Sequence, residues 1–421
     1  MYDALRRQSG RAARLSERQS ARRVGERKEK RRATCRASEK THYYGKATPL
    51  LVAMRAALLM LTSIAAPCRA INSFLRNRFE PFAKVALERY LADTLPASSL
   101  TWIADGPGGS TQLAFWRWLL EADTLGAQSS VLALPSHEPR EVRQLLEIAD
   151  LLPAHYQVVP LPDASPVPGL AALVQPPSEP EPVPAPGADG SAATAVTART
   201  AAWVDRTLSP SGLRFCPYTQ SSDISGYGLE GYGVSPAPIM YVHCGGTSLP
   251  ALLESFWSSA AAMRDAGEEG VSSIILAAPE WDSDFEAWSS TVFPLLEESV
   301  LVGKLGRELG IVCFHPHYST PSDAWLARHR FGHMHSPTKL RAYVREHDER
   351  LAEEITDDEL LWAGSYQRRS PHATINVLWA RQLEQAEQKR KSSLLYTRNL
   401  QRALGEGQDV LDAAAAAERS S

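Results

Sequence analysis

The chain reads as an α/β protein: a mixed, mainly parallel sheet flanked by helices, closed by a long C-terminal helix. Three observations lead there. Short apolar runs stop at proline in Leu134-Pro135, Val159-Pro160, Ala278-Pro279 and Phe314-His315-Pro316. Such runs read as buried strands, because proline donates no ladder hydrogen bond. Stretches with helical spacing separate them, and 421 residues at 44% apolar are enough for one or two packed cores.

Residues 1–70 read as a basic leader followed by a targeting segment. Residues 1–47 hold fifteen Lys/Arg against five Asp/Glu without apolar periodicity, the composition of a disordered arm. Met54-Arg55 then precedes Ala56 to Ala66, apolar except for Thr62 and Ser63, and the small-residue end Pro67-Cys-Arg-Ala70. Eleven residues are too short to cross a bilayer and match a signal-type segment instead. The expectation is an organelle address, plastid ahead of mitochondrion, with a secretory route if Met54 is the start. Glu17, Glu26, Glu29 and Glu39 make the arm acidic for a transit peptide. No integral membrane span is expected in the mature protein.

Outside residues 1–47 the net charge is −13. An acidic body argues against a nucleic-acid footprint, which needs a basic face. Cys216, Cys244 and Cys313 are too scattered for a disulfide framework or a paired Cys-x-x-Cys zinc pattern.

Residues 71–160 form a small α/β segment. Phe79 to Ala92 is helical in pattern, Ser99 to Ala104 is a strand, and Gln112 to Ala122 is a helix with an aromatic face (Phe115, Trp116, Trp118). Val131 to Leu134 and Tyr156 to Val159 are strands around a helix at Pro139 to Leu152. Ten prolines between 160 and 187 give residues 161–193 the composition of an extended linker.

The main domain is expected over 194–404. Thr197 to Leu208 reads as a helix, Phe215-Cys216-Pro217-Tyr218 as a turn, and 221–238 as a mobile loop. Ile239 to His243 and Ser272 to Ala278 are strands around a helix at Ser248 to Ala266. A helix over 283–302 is kinked at Pro294. The run Gly310-Ile-Val-Cys-Phe-His-Pro-His-Tyr318 reads as a central parallel strand with His315 at its carboxyl end, where open α/β sheets bind ligands. Helices follow at 338–354 and 356–363, then one from Thr374 to about Leu404, then a frayed tail over 405–421. One internal echo stands out. Ser130-Val-Leu-Ala-Leu-Pro135 with Gln157-Val-Val-Pro160 parallels Ile274-Ile-Leu-Ala-Ala-Pro279 with Val312-Cys-Phe-His-Pro316. A degenerate repeat and coincidence both explain it.

Three turns carry unusual residues: Phe215-Cys216-Pro217-Tyr218, Phe314-His315-Pro316-His317-Tyr318 and Arg368-Arg369-Ser370-Pro371. Together, over about residues 200–385, they resemble the domain of unknown function 1415 family. Its members show a Leu-Cys-Pro-Phe type turn, a Phe-His-Pro-x-Tyr strand end and an Asn-Arg-Ser-Pro turn. Trp203 and Asp284-Phe285 fit the same layout. Arg368 departs from the family's Asn, His372-Ala373 from an aromatic-Pro pair, and His317 from a position that is often acidic; the family's usual Arg falls at Trp379, or at Arg381 if the register shifts. The resemblance brings no established activity with it.

The chemistry is therefore argued from the residues. Cys216 precedes Pro217; as the N-cap of a helical turn it would be favoured as thiolate, whereas a free Cys is more often a small buried thiol. His315 is an acid/base candidate, or a ring that ties down the strand end. Arg369, just ahead of the expected helix start at Thr374, suits an anionic group, or else an ion pair with Glu280, Asp282 or Asp284. Tyr218, Tyr318, Ser370 and Glu280 complete the expected binding set. Cys313, His315 and His317 alternate as strand-borne metal ligands would, with His333 and His335 as spare donors, but Pro316 breaks the strand and no metal is expected. The resulting expectation is a small-molecule enzyme acting on an anionic substrate through Cys216, His315 and Arg369, with its cofactor unknown. The alternatives are an anion- or metal-binding module without catalysis, and an interaction scaffold using the charged terminal helix.

Overall fold

In a computed structural model, residues 100–103, 109–124, 130–134, 139–161, 168–174, 190–232, 234–326, 335–387 and 391–420 are described, together with His137 and Ser165. The leader (1–70) and the helix expected over Phe79–Ala92 lie outside them.

Two sheets form the frame. The first contains β1 (Leu100–Ile103), β2 (Ser130–Ala133), β3 (Tyr156–Pro160) and β4 (Gly169–Val174), in the order β1-β2-β4-β3. The second contains β5 (Ile224–Ser225), β6 (Ala237–His243), β7 (Ser273–Ala277), β8 (Leu309–Phe314) and β9 (Thr374–Trp379), in the order β5-β6-β7-β9-β8. β1 and β2 are parallel, as are β6 and β7; the other pairings in both sheets are antiparallel. The fold is thus α/β with mixed sheets, and the expected parallel majority is not found. Sequence patterns miss this because a strand looks the same whichever way its neighbour runs.

β1-β2-β4-β3 and β6-β7-β9-β8 are one arrangement used twice. In each, a helix follows the first strand: α1 (Gly109–Thr124) and α4 (Leu249–Gly270). A second helix follows the second strand: α2 (Pro139–Ala149) and α5 (Phe293–Val302). In each, the last strand slots antiparallel between two earlier ones. α1 packs on α4 and α2 on α5. Phe115 and Trp116 meet edge to face at 4.9 Å, and Phe256 and Trp257 do the same at 5.4 Å. One apolar core runs through both sheets, from Trp118, Leu132 and Leu170 to Leu253, Leu276 and Trp288.

The second sheet buries its other face under α3 (Gly190–Trp203), α6 (Pro337–His347), α7 (Glu349–Glu354), α8 (Asp357–Tyr366), α10 (Lys391–Glu406) and α11 (Gln408–Ser420). Several helix starts have a local cause. Thr356 caps α8 in a capping box with Glu359, and Ser336 accepts from the Lys339 N–H at the start of α6. Pro294 sits in the first turn of α5, directly after a π-helical turn at Trp288–Val292, where the hydrogen-bond pattern of the helix changes.

Five expectations are corrected. The stretch read as a linker contains β4, a proline-free run at the sheet's interior. A Cβ on Gly169 would fall 2.5 Å from the Leu132 carbonyl, so glycine allows the close pairing. The long terminal helix does not begin at Thr374: Thr374–Trp379 is β9, whose β-branched residues and two-residue alternation fit a strand, and α9 (Ala380–Glu387) and α10 follow. The 310–315 strand lies at the sheet edge, because β9 takes the place beside β7. The tail expected to fray is α11, docked through Glu418 to Arg206 and Asp412 to Arg369. Residues 221–238, read as a loop, contribute β5 and a 3-10 turn at Glu230–Tyr232.

Candidate functional site

The two-residue alternation of the strands sorts their side chains. Ile274 and Leu276 of β7, Ile311 and Cys313 of β8, and Ile375 and Val377 of β9 face the shared core. Ser273 and Ile275, Val312 and Phe314, and Asn376 and Leu378 face the opposite way and floor a cavity of about 360 Å3. Its walls come from the 215–219 turn, α6, α10 and Gln367-Arg368. That volume suits a small molecule, and an apolar floor with a few convergent polar groups is what ligand sites present.

Cys216 lies on this wall, half-buried. Its turn is fastened by the end of the π-helical turn that extends α3: Phe215 N–H donates to the Thr207 carbonyl (3.0 Å) and Cys216 N–H to that of Leu208 (3.2 Å). The Asn399 Nδ2 of α10 donates to the Phe215 carbonyl at 3.0 Å. No helix starts at Pro217, which sits in a simple turn, so the N-cap argument for a thiolate falls away. Cys244 and Cys313 are buried in the core, and burial pushes both thiols up.

The guanidinium in the cavity is that of Arg368. It stands over the Phe314 ring, 5.6 Å from the centroid, and its Nη2 donates to Tyr396 Oη at 2.6 Å. Burial works to lower its pKa, but Tyr396, Tyr318 and Cys313 outweigh that and hold it above the ordinary value. Lys339 and His335 line the same space; the His335 ring lies edge-on to Tyr396 at 4.3 Å. No Asp or Glu is among the described residues lining it. Gln367 Oε1 and Nε2, Asn376 Oδ1 and Asn399 Oδ1 are buried there without a hydrogen-bond partner among the described residues.

Of the expected site residues, Cys216 and Tyr218 line this cavity. His315 does not: following Phe314 in the chain, it faces the other side of the sheet, packed on Phe285 and Trp288. Both ring nitrogens are engaged, Nε2 with the Trp281 carbonyl at 3.0 Å and Nδ1 accepting from His317 N–H at 3.0 Å. Burial lowers its pKa, opposed by the Trp281 carbonyl. Tyr318 is buried on that same side, 5.3 Å from Phe285. Arg369 pairs with Asp412 at 3.0 Å instead of with the strand-end acids, and its carbonyl accepts from Trp203 Nε1 at 3.0 Å. Ser370 Oγ donates to the His372 carbonyl, and Glu280 is exposed on the 3-10 turn after β7. The expected trio of Cys216, His315 and Arg369 therefore does not share a cavity; Cys216, His335 and Arg368 do.

A second polar cluster went unread in the sequence. Asp282 accepts from His372 Nδ1 (2.8 Å) and Ala373 N–H (2.6 Å), while Arg199 Nη1 lies 3.3 Å from His372 Nε2. It ties the start of β9 to the ends of β7 and α3. Among the described residues no group of three or more His, Cys, Asp and Glu is arranged to hold a metal ion, and no helix is long and apolar enough to cross a membrane. Asn376 carried a legible signal: a lone amide inside the run Ile375-Asn-Val-Leu-Trp379 is disfavoured in a strand unless something uses it. The chain matches no protein-family model, no curated protein and no solved structure, so its function has to be read from this cavity and its chemistry.

Proposed function

We propose that the cavity beneath the Cys216 turn binds a small anionic molecule rich in hydrogen-bonding groups, and that the protein is an enzyme acting on it. The carrying observation is the pairing of a wall that, among the described residues, holds Arg368 and Lys339 but no acid, with four buried amide atoms that have no partner among the described residues. Leaving such an atom unmade costs about 1–3 kcal/mol, which a ligand's donors and acceptors would offset. Arg368 is the anchor, through a guanidinium that binds oxyanions in two places at once. Cys216 is the thiol nucleophile or redox group, and His335, the imidazole on the same wall, is the acid/base. This moves the roles first expected of Arg369 and His315 to Arg368 and His335. The same arrangement without turnover is the alternative, an anion-binding module.

Native mass spectrometry of the protein taken from its own cells tests this reading. Wild type should retain a small acid that Arg368→Met and Asn376→Leu release; equal ligand content in all three would refute it. We also propose, on the three turns, that residues 200–385 are related to the domain of unknown function 1415 family. Arg368 stands where that family has Asn, so the anchoring cation belongs to this chain. Residues 1–70 are proposed as an organelle address, plastid first. A fluorescent protein carrying residues 1–70 that stays in the cytosol would overturn it.

A further inference from the structure

We infer that the ligand of this cavity carries a phosphate group, held outside the Cys216 turn by Arg214, Arg398 and Arg402. This rests on the reading of the cavity above and names its substrate class: a phosphorylated small molecule. A cleft of about 550 Å3 opens against these three arginines and Gln401, and it shares two walls, Pro217 and Leu395, with the cavity. The two spaces thus adjoin at Pro217 and Leu395, and one ligand is proposed to occupy both.

The charge arrangement is unusual for this protein. Beyond residues 1–47 the chain is net acidic, yet the described residues lining the cleft include no carboxylate, and none of the three arginines has an ion pair among the described residues. The carboxylate of Asp348 is committed elsewhere: Oδ1 caps the Leu351 N–H at 3.0 Å and Oδ2 accepts from Gln401 Nε2 at 2.8 Å. Burial and then the charges of Arg214 and Arg398 lower the pKa of Arg402, the sign of cations crowded without a counterion.

Backbone geometry adds to this. Arg214 is held in the left-handed region, φ 54°, a conformation that a non-glycine side chain rarely adopts. Its carbonyl accepts from Arg402 Nη1, which ties the turn carrying Cys216 to α10. Arg214 and Arg398 both remain exposed, with their donors free for solvent. Three guanidiniums offer more donors than one carboxylate can accept, and they match the charge and the several oxygens of a phosphate monoester.

The experiment uses the full chain, with inorganic pyrophosphate as the probe, calorimetry for affinity and the alkylation rate of Cys216 by iodoacetamide (peptide mass spectrometry) for position. Pyrophosphate should bind and slow Cys216 alkylation. Arg398→Glu should weaken it by at least about tenfold, the loss of one charge-assisted contact. Arg214→Gly, which suits the left-handed backbone, should do the same. Both variants should melt as wild type does. If pyrophosphate does not bind, or binds the folded variants equally well, the phosphate cleft is refuted; the cavity reading is then judged separately by Arg368→Met. Pyrophosphate binding that leaves Cys216 alkylation unchanged would refute the shared ligand. Arg398-dependent binding of phosphatidic acid vesicles, without binding of pyrophosphate, would assign the phosphate to a lipid surface and overturn the small-molecule class.

Discussion

Arg368 lies over the face of Phe314, 5.6 Å from the ring centroid, and joins the end of the edge strand to the turn before β9. The side chain is held twice, by this contact and by Tyr396, so its position is set before any ligand arrives. Arg368→Met should remove the cationic anchor and cost about 3–5 kcal/mol of stability, the sum expected for an enclosed cation–π contact and a charge-assisted hydrogen bond. Arg368→Lys should recover less than half of that, because an ammonium lacks the planar fork. Urea melts of the three proteins give the comparison.

Thiol accessibility should rank with burial. Cys216 is half-buried, whereas Cys244 and Cys313 are each 2% exposed. Iodoacetamide should label Cys216 in the native protein and reach the other two only on unfolding. Peptide mass spectrometry at increasing urea reads this directly; early labelling of Cys313 would mean that the second sheet opens locally.

His315 predicts a direction for pH dependence. Its folded-state pKa is below the usual 6.5, because burial disfavours the charged ring. The unfolded chain therefore binds more protons as the pH falls. Its contribution is complete above about pH 6.5 and shrinks as the pH drops below that, toward the folded-state value. Thermal melts between pH 7.5 and pH 5 should show this slope in wild type and a flatter one in His315→Gln, against a background of the other histidines.

Gly310 should not tolerate a side chain. A Cβ there would run into the Leu383 side chain of α9, which lines the cavity. Gly310→Val should cost about 1–3 kcal/mol through overpacking and push Leu383 toward the ligand space. A variant as stable as wild type would mean that α9 moves freely.

Removing the last helix should be severe. Without residues 408–420 the chain loses the Arg206–Glu418 and Arg369–Asp412 pairs and the cover over Tyr366, whose hydroxyl donates to the Leu411 carbonyl at 3.3 Å and accepts from Arg206 at 2.7 Å. The truncated protein should melt well below the full chain by circular dichroism.

Strand and helix positions were legible wherever punctuation was sharp. Pro160, Pro279 and Pro316 each mark a strand end or the turn just after one, and the helices between 337 and 366 fall close to their expected places. β4 was hidden because the prolines around Gly169-Leu-Ala-Ala-Leu-Val174 set the average for the whole stretch. β9 was hidden because the helix-forming residues after Ala380 absorbed it. The site was half legible. Cys216 and Tyr218 stand out in sequence, but which of two adjacent arginines turns inward depends on the turn at Gln367, and which side His315 faces depends on one residue of register. Long-range packing decides both.

β9 lies between β7 and β8, yet it leaves the ribosome after both. While the chain is being made, neither earlier strand has its partner on that side, and each presents an open row of amides and carbonyls. The second sheet can close only once residues 374–379 emerge and insert between them. Synthesis thus passes through a late, exposed stage in which a stalled or shortened chain is sticky, and the cavity floor, which needs Asn376, exists only in the finished product.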